Sequence, residues 1–179
     1  MLKRFELKDI VFIAIFSAAL LMLSGLIVPL VMFTRLFALR QLLSAPFFAL
    51  FGVIAIVKTR KPGTLLLMGI FTGLVLLFMS PVMFYNNVFG AILAEVIGLA
   101  AGGYEKKRAV ILAAGLYIPL TLPITLVFTA WLKGISFAEQ WGTSWVSPLI
   151  CCGTILTGMI GAVLGWKLAI ELQKSGKLR

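Results

Sequence analysis

Long apolar runs alternate along the chain with short polar or Pro/Gly breaks. Six runs stand out, at about 10–33, 36–57, 64–79, 82–103, 109–132 and 147–169. A helix that crosses a hydrocarbon core of ~30 Å needs ~20 apolar residues, and five of the runs reach that length. The third, about 16 residues, predicts a locally thin or partly buried helix. Only Ser80-Pro81 separates it from the fourth, and neither residue is charged. A single helix over 64–103 would be ~60 Å long, twice the core thickness, so a hairpin is required there. The expected fold is an all-α integral membrane protein, with six transmembrane helices in a single compact bundle and one domain over residues 1–179.

Composition supports the pattern. The chain is 61% apolar and 12% charged, with a mean hydropathy of +1.11. A soluble domain is usually ~45–50% apolar and ~25% charged. Too little polar surface remains to solvate a globule, which excludes a soluble enzyme or binding module. The first run follows Lys3 and Arg4, as in a signal peptide, but Glu6, Lys8 and Asp9 sit directly before it. It also far exceeds the ~7–15 residues of a cleavable apolar core, so it reads as a retained first membrane helix.

The net charge of +10 is explained by where the charges lie. Lys3, Arg4 and Lys8 precede the first run. Lys58, Arg60 and Lys61 fill the second connection, and Lys106, Lys107 and Arg108 the fourth. Lys167, Lys174, Lys177 and Arg179 close the chain. These thirteen of the sixteen basic residues fall on one side of a six-span arrangement, with Arg35 and Lys133 opposite and Arg40 inside the second run. The positive-inside rule then places both termini in the cytoplasm (N-in, C-in) of a multi-pass cell-membrane protein. The charge reports topology and gives no indication of nucleic acid. Trp131, Trp141 and Trp145 flank the outer connection between runs five and six, and Trp166 sits beside Lys167, as in an aromatic belt. Ser136-Phe137-Ala138-Glu139 fits a capping box, so residues 136–145 read as either a short interfacial helix or a plain solvated loop.

Polar side chains inside the runs are the candidates for function, because hydrocarbon makes them costly. Arg40 and Gln41 lie one to two turns into the second run, with Arg35 at its mouth. Tyr85, Asn86 and Asn87 open the fourth. Thr121, Thr125 and Thr129 recur at i+4 in the outer half of the fifth and share one helix face. All lie at the outer level, while the inner halves are nearly free of polar groups except Glu95. This asymmetry suggests a polar pocket open to the outside, roofed by the Trp-bearing outer connection (Trp141 included) and the first outer connection. Arg35 and Arg40 suit an anionic or carbonyl-rich ligand. The alternative is that Arg40 and the asparagines glue helices together. Glu95 lies ~20 Å from the outer end of its run, too deep for that pocket. It reads as an interhelical hydrogen-bond partner, since a proton relay normally takes several such groups. Pro29, Pro46, Pro119 and Pro123 either free backbone carbonyls or only bend their helices. Small-xxx-small faces occur at Ala14/Ala18, Gly69/Gly73, Gly98/Gly102 and Gly161/Gly165 and permit close helix approach.

Enzyme motifs are missing. There is no Walker A, no metalloprotease His pair and no GxSxG. Histidine is absent, and the adjacent Cys151 and Cys152 form neither a strain-free disulfide nor a zinc site. No metal or cofactor is expected, and the chain does not read as an enzyme.

Six runs in about 180 residues, Ala14-x-x-x-Ala18 in the first, and Leu7-Lys8-Asp9-Ile10 before it resemble the substrate-binding S component of an energy-coupling factor (ECF) transporter. The stretch from Phe89 to Gly98, followed by Gly103-Tyr104-Glu105-Lys106-Lys107, is similar to the Trep_Strep branch of such proteins. The resemblance implies a subunit that captures a vitamin or vitamin precursor from outside. Such a subunit docks on a transmembrane T component bearing two cytoplasmic ATPases and topples to release its load. Ala14 and Ala18 would be the docking face. The expected substrate contacts are Arg35, Arg40, Gln41, Tyr85, Asn86, Asn87, Thr125 and Trp141. The rival readings are a helical scaffold or assembly subunit, which needs no outer pocket, and a small channel, which needs polar groups through its full depth.

Overall fold

A computed structural model describes residues 5–32, 37–136, 139 and 146–176. Among them there are six helices and no strand: α1 (Leu7–Met32), α2 (Phe37–Thr59), α3 (Thr64–Leu77), α4 (Pro81–Ala100), α5 (Lys107–Lys133) and α6 (Val146–Lys174). Each covers one apolar run. Five are long and apolar enough to cross a membrane, and α3 is not. Its 14 residues span about 21 Å. Leu74, Val75, Leu77, Phe78 and Met79, at its end and in the turn beyond, are exposed, so the uncharged tip of the α3–α4 hairpin is itself apolar. Pro81 then opens α4 at a position where its missing N–H costs nothing. The same helix stops at Ala100, three residues before the end of its run. There Gly102 and Gly103 take φ of 106° and 81°, and the Gly103 N–H donates back to the Gly98 carbonyl at 3.0 Å.

Successive helices alternate in direction. Asp9 at the start of α1 meets Lys61 in the α2–α3 turn at 2.7 Å. The Leu65 N–H at the start of α3 meets Glu95 near the end of α4 at 2.7 Å. On α6, Gly161 lies against Pro46 and Gly165 against Leu50, so α6 runs parallel to α2. Both ends of the described chain therefore lie at one end of the bundle, together with Lys58, Arg60, Lys61, Lys106, Lys107, Arg108 and Lys174. This is the basic end, and the polar residues picked out from the sequence lie toward the opposite one.

Glycine and proline explain how the helices approach. Helix α2 packs most extensively on α6, and α4 on α5 and α3, while α1 rests chiefly on α2 and α3. A Cβ at Gly69 would come within 2.6 Å of the Ala91 methyl. One at Gly98 would meet Tyr104 at 2.8 Å, and one at Gly161 would run into the Pro46 backbone. Three of the four small-residue faces thus have partners, Gly98 acting without Gly102, which sits in the turn. The fourth does not: Ala14 is half-buried and Ala18 is exposed. The prolines free carbonyls that the neighbouring helix then uses. Pro46 has no N–H for the Leu42 carbonyl, which accepts from the Thr157 hydroxyl of α6 at 3.2 Å. Pro119 frees the Gly115 carbonyl, and Gly158 of α6 is seated directly on it, an approach that suits a Cα–H···O contact.

Glu95 is settled by the same geometry. Gly63, before α3, has no side chain to cap the helix. The Glu95 carboxylate of α4 does so instead, accepting from Leu65 N–H at 2.7 Å and Leu66 N–H at 3.4 Å. A carboxylate at a helix N-terminus satisfies orphan donors and the helix dipole together. Tyr104, in the turn after α4, is buried nearby. Burial and the Glu95 charge push its phenol well above the ordinary range, so it stays protonated.

Candidate functional site

The helix ends opposite the basic end leave a cleft between α1, α2, α4 and α5, with Leu76 of α3 at its edge. Ser24 of α1, Arg40, Gln41 and Ser44 of α2, Asn86 and Asn87 of α4 and Thr121 of α5 line it. Phe48 and Ile118 are also in its lining, and both belong to the buried core. Its free interior is about 60 Å³, room for a few waters and well below the ~300 Å³ of a small-ligand pocket. A larger crevice of about 220 Å³ runs along Pro119, Leu122, Pro123, Leu126, Cys151 and Ile155. Its lining has no hydrogen-bonding side chain beyond one thiol, so it has little means of recognising a polar ligand.

The polar groups of the cleft differ in what they still have to offer. The Thr121 hydroxyl donates to the Ile118 carbonyl at 2.6 Å and the Thr125 hydroxyl to the Thr121 carbonyl at 2.7 Å. Both hydroxyls then have only lone pairs left, and both accept from the Gln41 Nε2, at 3.4 and 3.5 Å. The Gln41 amide is therefore oriented, and its Oε1 is buried with no partner among the described residues. Asn87 is bonded at both ends of its amide. Its Nδ2 donates to the Met83 carbonyl at 2.8 Å, and its Oδ1 accepts from the Tyr117 hydroxyl at 3.3 Å. Ser44 donates to the Gln41 carbonyl at 3.3 Å. The Ser24 hydroxyl and Asn86 Oδ1, like Gln41 Oε1, are buried and unpartnered. Arg40 is half-buried in the cleft wall. All six acidic residues are among the described residues, and none of them forms an ion pair with it.

Of the residues singled out from the sequence, Arg40, Gln41, Asn86 and Asn87 come together along this cleft. Thr125 stands behind Gln41 and orients it without lining the cleft. Tyr85 is not in the cleft lining. Its ring stacks on Phe128 at 4.9 Å with an interplanar angle of 4°, and Phe89 and Trp131 extend the aromatic row along α4 and α5. Tyr85 was expected to contact substrate along with the two asparagines, but the 100° step between neighbours turns it toward α5. Arg35 and Trp141 lie outside the described residues. The capping box has its reciprocal bonds: the Ser136 N–H and hydroxyl donate to the Glu139 carboxylate at 3.0 Å, and the Glu139 N–H donates to the Ser136 hydroxyl at 3.3 Å. Sequence reasoning passed over Ser24, although it is a polar residue in the far half of the first run, at the level of Arg40. Thr121 was seen as one of a stripe, without its role in orienting Gln41.

The chain matches the profile of the Trep_Strep family, described as hypothetical bacterial integral membrane protein, over residues 7–170. No curated protein and no solved structure matches it. The chain belongs to the Trep_Strep family, and is a multi-pass integral membrane protein with an all-helical bundle.

Proposed function

We propose that this Trep_Strep protein is the substrate-capture subunit of an ECF-type importer. It takes a small, vitamin-like molecule from outside and delivers it through a T component driven by two cytoplasmic ATPases. The observation that carries the reading is the cleft. An arginine with no carboxylate partner and buried amide oxygens sit together in an apolar bundle, where each is expensive unless it binds something. The Ala14/Ala18 face adds support, since it is the small-residue face left without a partner while the others are covered. The cleft lining ends at Phe48 and Ile118, which argues against a channel. In this reading the basic end is cytoplasmic, with both termini, and the cleft opens outward.

The test is a thermal-shift screen of water-soluble vitamins and their precursors on the purified protein. Mass spectrometry of any molecule carried through purification accompanies it. A ligand that stabilises the protein without ATP, and loses that effect in Arg40→Ala, is the expected result. Ala18→Trp should keep binding and abolish uptake in cells. No ligand in either experiment, or full uptake with Ala18→Trp, would count against capture or docking respectively.

A further inference from the structure

The unpartnered atoms of the cleft say more than that something binds there. We infer that the cleft is built for a ligand carrying an anionic group for Arg40 and, close to it, N–H or O–H donors for Gln41 Oε1 and Asn86 Oδ1. The inference rests on the capture reading and gives it a ligand chemistry.

The argument starts from the hydroxyls. A threonine or serine in a helix can give its proton to a carbonyl three or four residues back. Thr72, Ser44, Thr121 and Thr125 all do so. What Thr121 and Thr125 keep is lone pairs, so Gln41 must turn its NH2 toward them. Its oxygen is then left as a bare acceptor by a constraint built from two other side chains. Gln41, Asn86 and Ser24 are 7%, 6% and 5% exposed, so only a molecule inside the cleft can satisfy them. A buried acceptor left unmatched costs ~1–3 kcal/mol, and two amide oxygens and a hydroxyl are held in that state in one cleft. Asn87, one residue from Asn86, shows the alternative, since its amide nitrogen and oxygen both have partners, on α4 and α5. The contrast separates groups that hold the bundle together from groups kept open. Arg40 has five N–H donors and can accept nothing, so it asks for an anion or a strong acceptor. Gln41 and Asn86 ask for donors. A simple anion such as acetate satisfies the first requirement alone, and a neutral amide only the second. A molecule with a carboxylate beside an amide or ureido N–H satisfies both.

The experiment uses two fragments that differ in one group. N-acetylglycine carries a carboxylate and an N–H. In N-acetylsarcosine the N–H is replaced by N–CH3. Each is titrated at millimolar concentration onto the purified full chain in detergent, with binding read by saturation-transfer NMR and by thermal shift. N-acetylglycine should bind about tenfold tighter or more, because a site built to accept from an N–H rejects an analogue lacking it. Gln41→Met and Asn86→Leu should each bring that ratio close to one. Asn86→Leu should also melt at or above the wild-type temperature when empty, since it removes an unmatched buried acceptor. A residue that merely held helices together would lower the melting temperature instead. Equal binding of the two fragments, still lost in Arg40→Ala, would overturn the donor requirement and leave capture standing. Binding of neither fragment would also overturn it, and capture would then be decided by the vitamin screen. An Asn86→Leu protein that melts early and keeps the preference would overturn the assignment as well.

Discussion

Removing the Glu95 carboxyl should loosen the start of α3, and its size can be worked out from the structure. Glu95→Ala leaves the Leu65 N–H, now bonded at 2.7 Å, and the Leu66 N–H, bonded at 3.4 Å, without an acceptor. Leu65 is wholly buried, and Gly63 supplies no replacement cap. A buried unsatisfied group costs ~1–3 kcal/mol, and the second, longer bond adds less, so the total loss is about 2–4 kcal/mol. For a chain of this size that lowers the melting midpoint by roughly 6–12 °C. Glu95→Gln keeps an oxygen that can accept from both groups and loses only the charge. It should cost ~1 kcal/mol, or about 3 °C. The assay is intrinsic tryptophan fluorescence during heating of the purified variants in one detergent at one scan rate. If Glu95→Ala melted with the wild type, the cap would be energetically irrelevant. If Glu95→Gln kept the wild-type midpoint but abolished uptake, the carboxyl would have a role in transport that capping does not explain.

The other expectations use the same physical terms. Gly161→Ala places a methyl against the Pro46 backbone and should cost ~1–3 kcal/mol by forcing α6 off α2. Gly25→Ala, with nothing within 4 Å, should be neutral or stabilising by ~0.5–1 kcal/mol, and melting curves compare the two. Lys61→Ala removes both the 2.7 Å ion pair to Asp9 and the contact over the Phe5 ring. With both side chains only 13% exposed, it should cost ~1–3 kcal/mol, seen as a lower midpoint and earlier proteolysis at the start of α1. With Cys151 and Cys152 replaced by Ser, Lys133→Cys should react with an impermeant maleimide on intact cells. Arg60→Cys should react only after permeabilisation, and the reverse pattern would invert the topology.

Much of the fold could be read from the chain because membrane helices are specified locally. Length, hydropathy and the basic connections fall within a single run or turn, and the six helices lie within a few residues of the six runs. Where the reading fell short, the cause lay across the bundle. The end of α4 depended on the left-handed glycines Gly102 and Gly103, whereas the shortness of α3 was already visible in its run. The prolines left two readings open because their partners are distant in sequence. The Leu42 carbonyl freed by Pro46 meets Thr157 on another helix, and Gly158 reaches the Gly115 carbonyl freed by Pro119. Gly115 belongs to no small-xxx-small pair, and the pair that Gly158 forms with Ala162 does not say which carbonyl it will meet.

The candidate site was legible at the level of residue type and not at the level of which atoms are free. Arg40, Gln41, Asn86 and Asn87 stood out because polar groups in apolar runs are rare. Adjacent positions in a helix nevertheless face different neighbours. Asn87 turns toward Tyr117 and bonds the Met83 carbonyl and the Tyr117 hydroxyl, tying α4 to α5. Asn86, one step away, lines the cleft with its oxygen unmatched. Tyr85, one step further, joins the aromatic row with Phe128. The sequence reading weighed a pocket against helix glue and allowed both for different residues, and neighbouring residues do differ in which of their atoms have partners. The division follows from proton bookkeeping across helices. Thr121 can orient Gln41 only because its own proton is held by the Ile118 carbonyl, and an isosteric Thr121→Val would remove that acceptor. With Thr125 still in place at 3.5 Å, the amide would be held more weakly. The preference for an N–H donor in the ligand should then fall before affinity through Arg40 does.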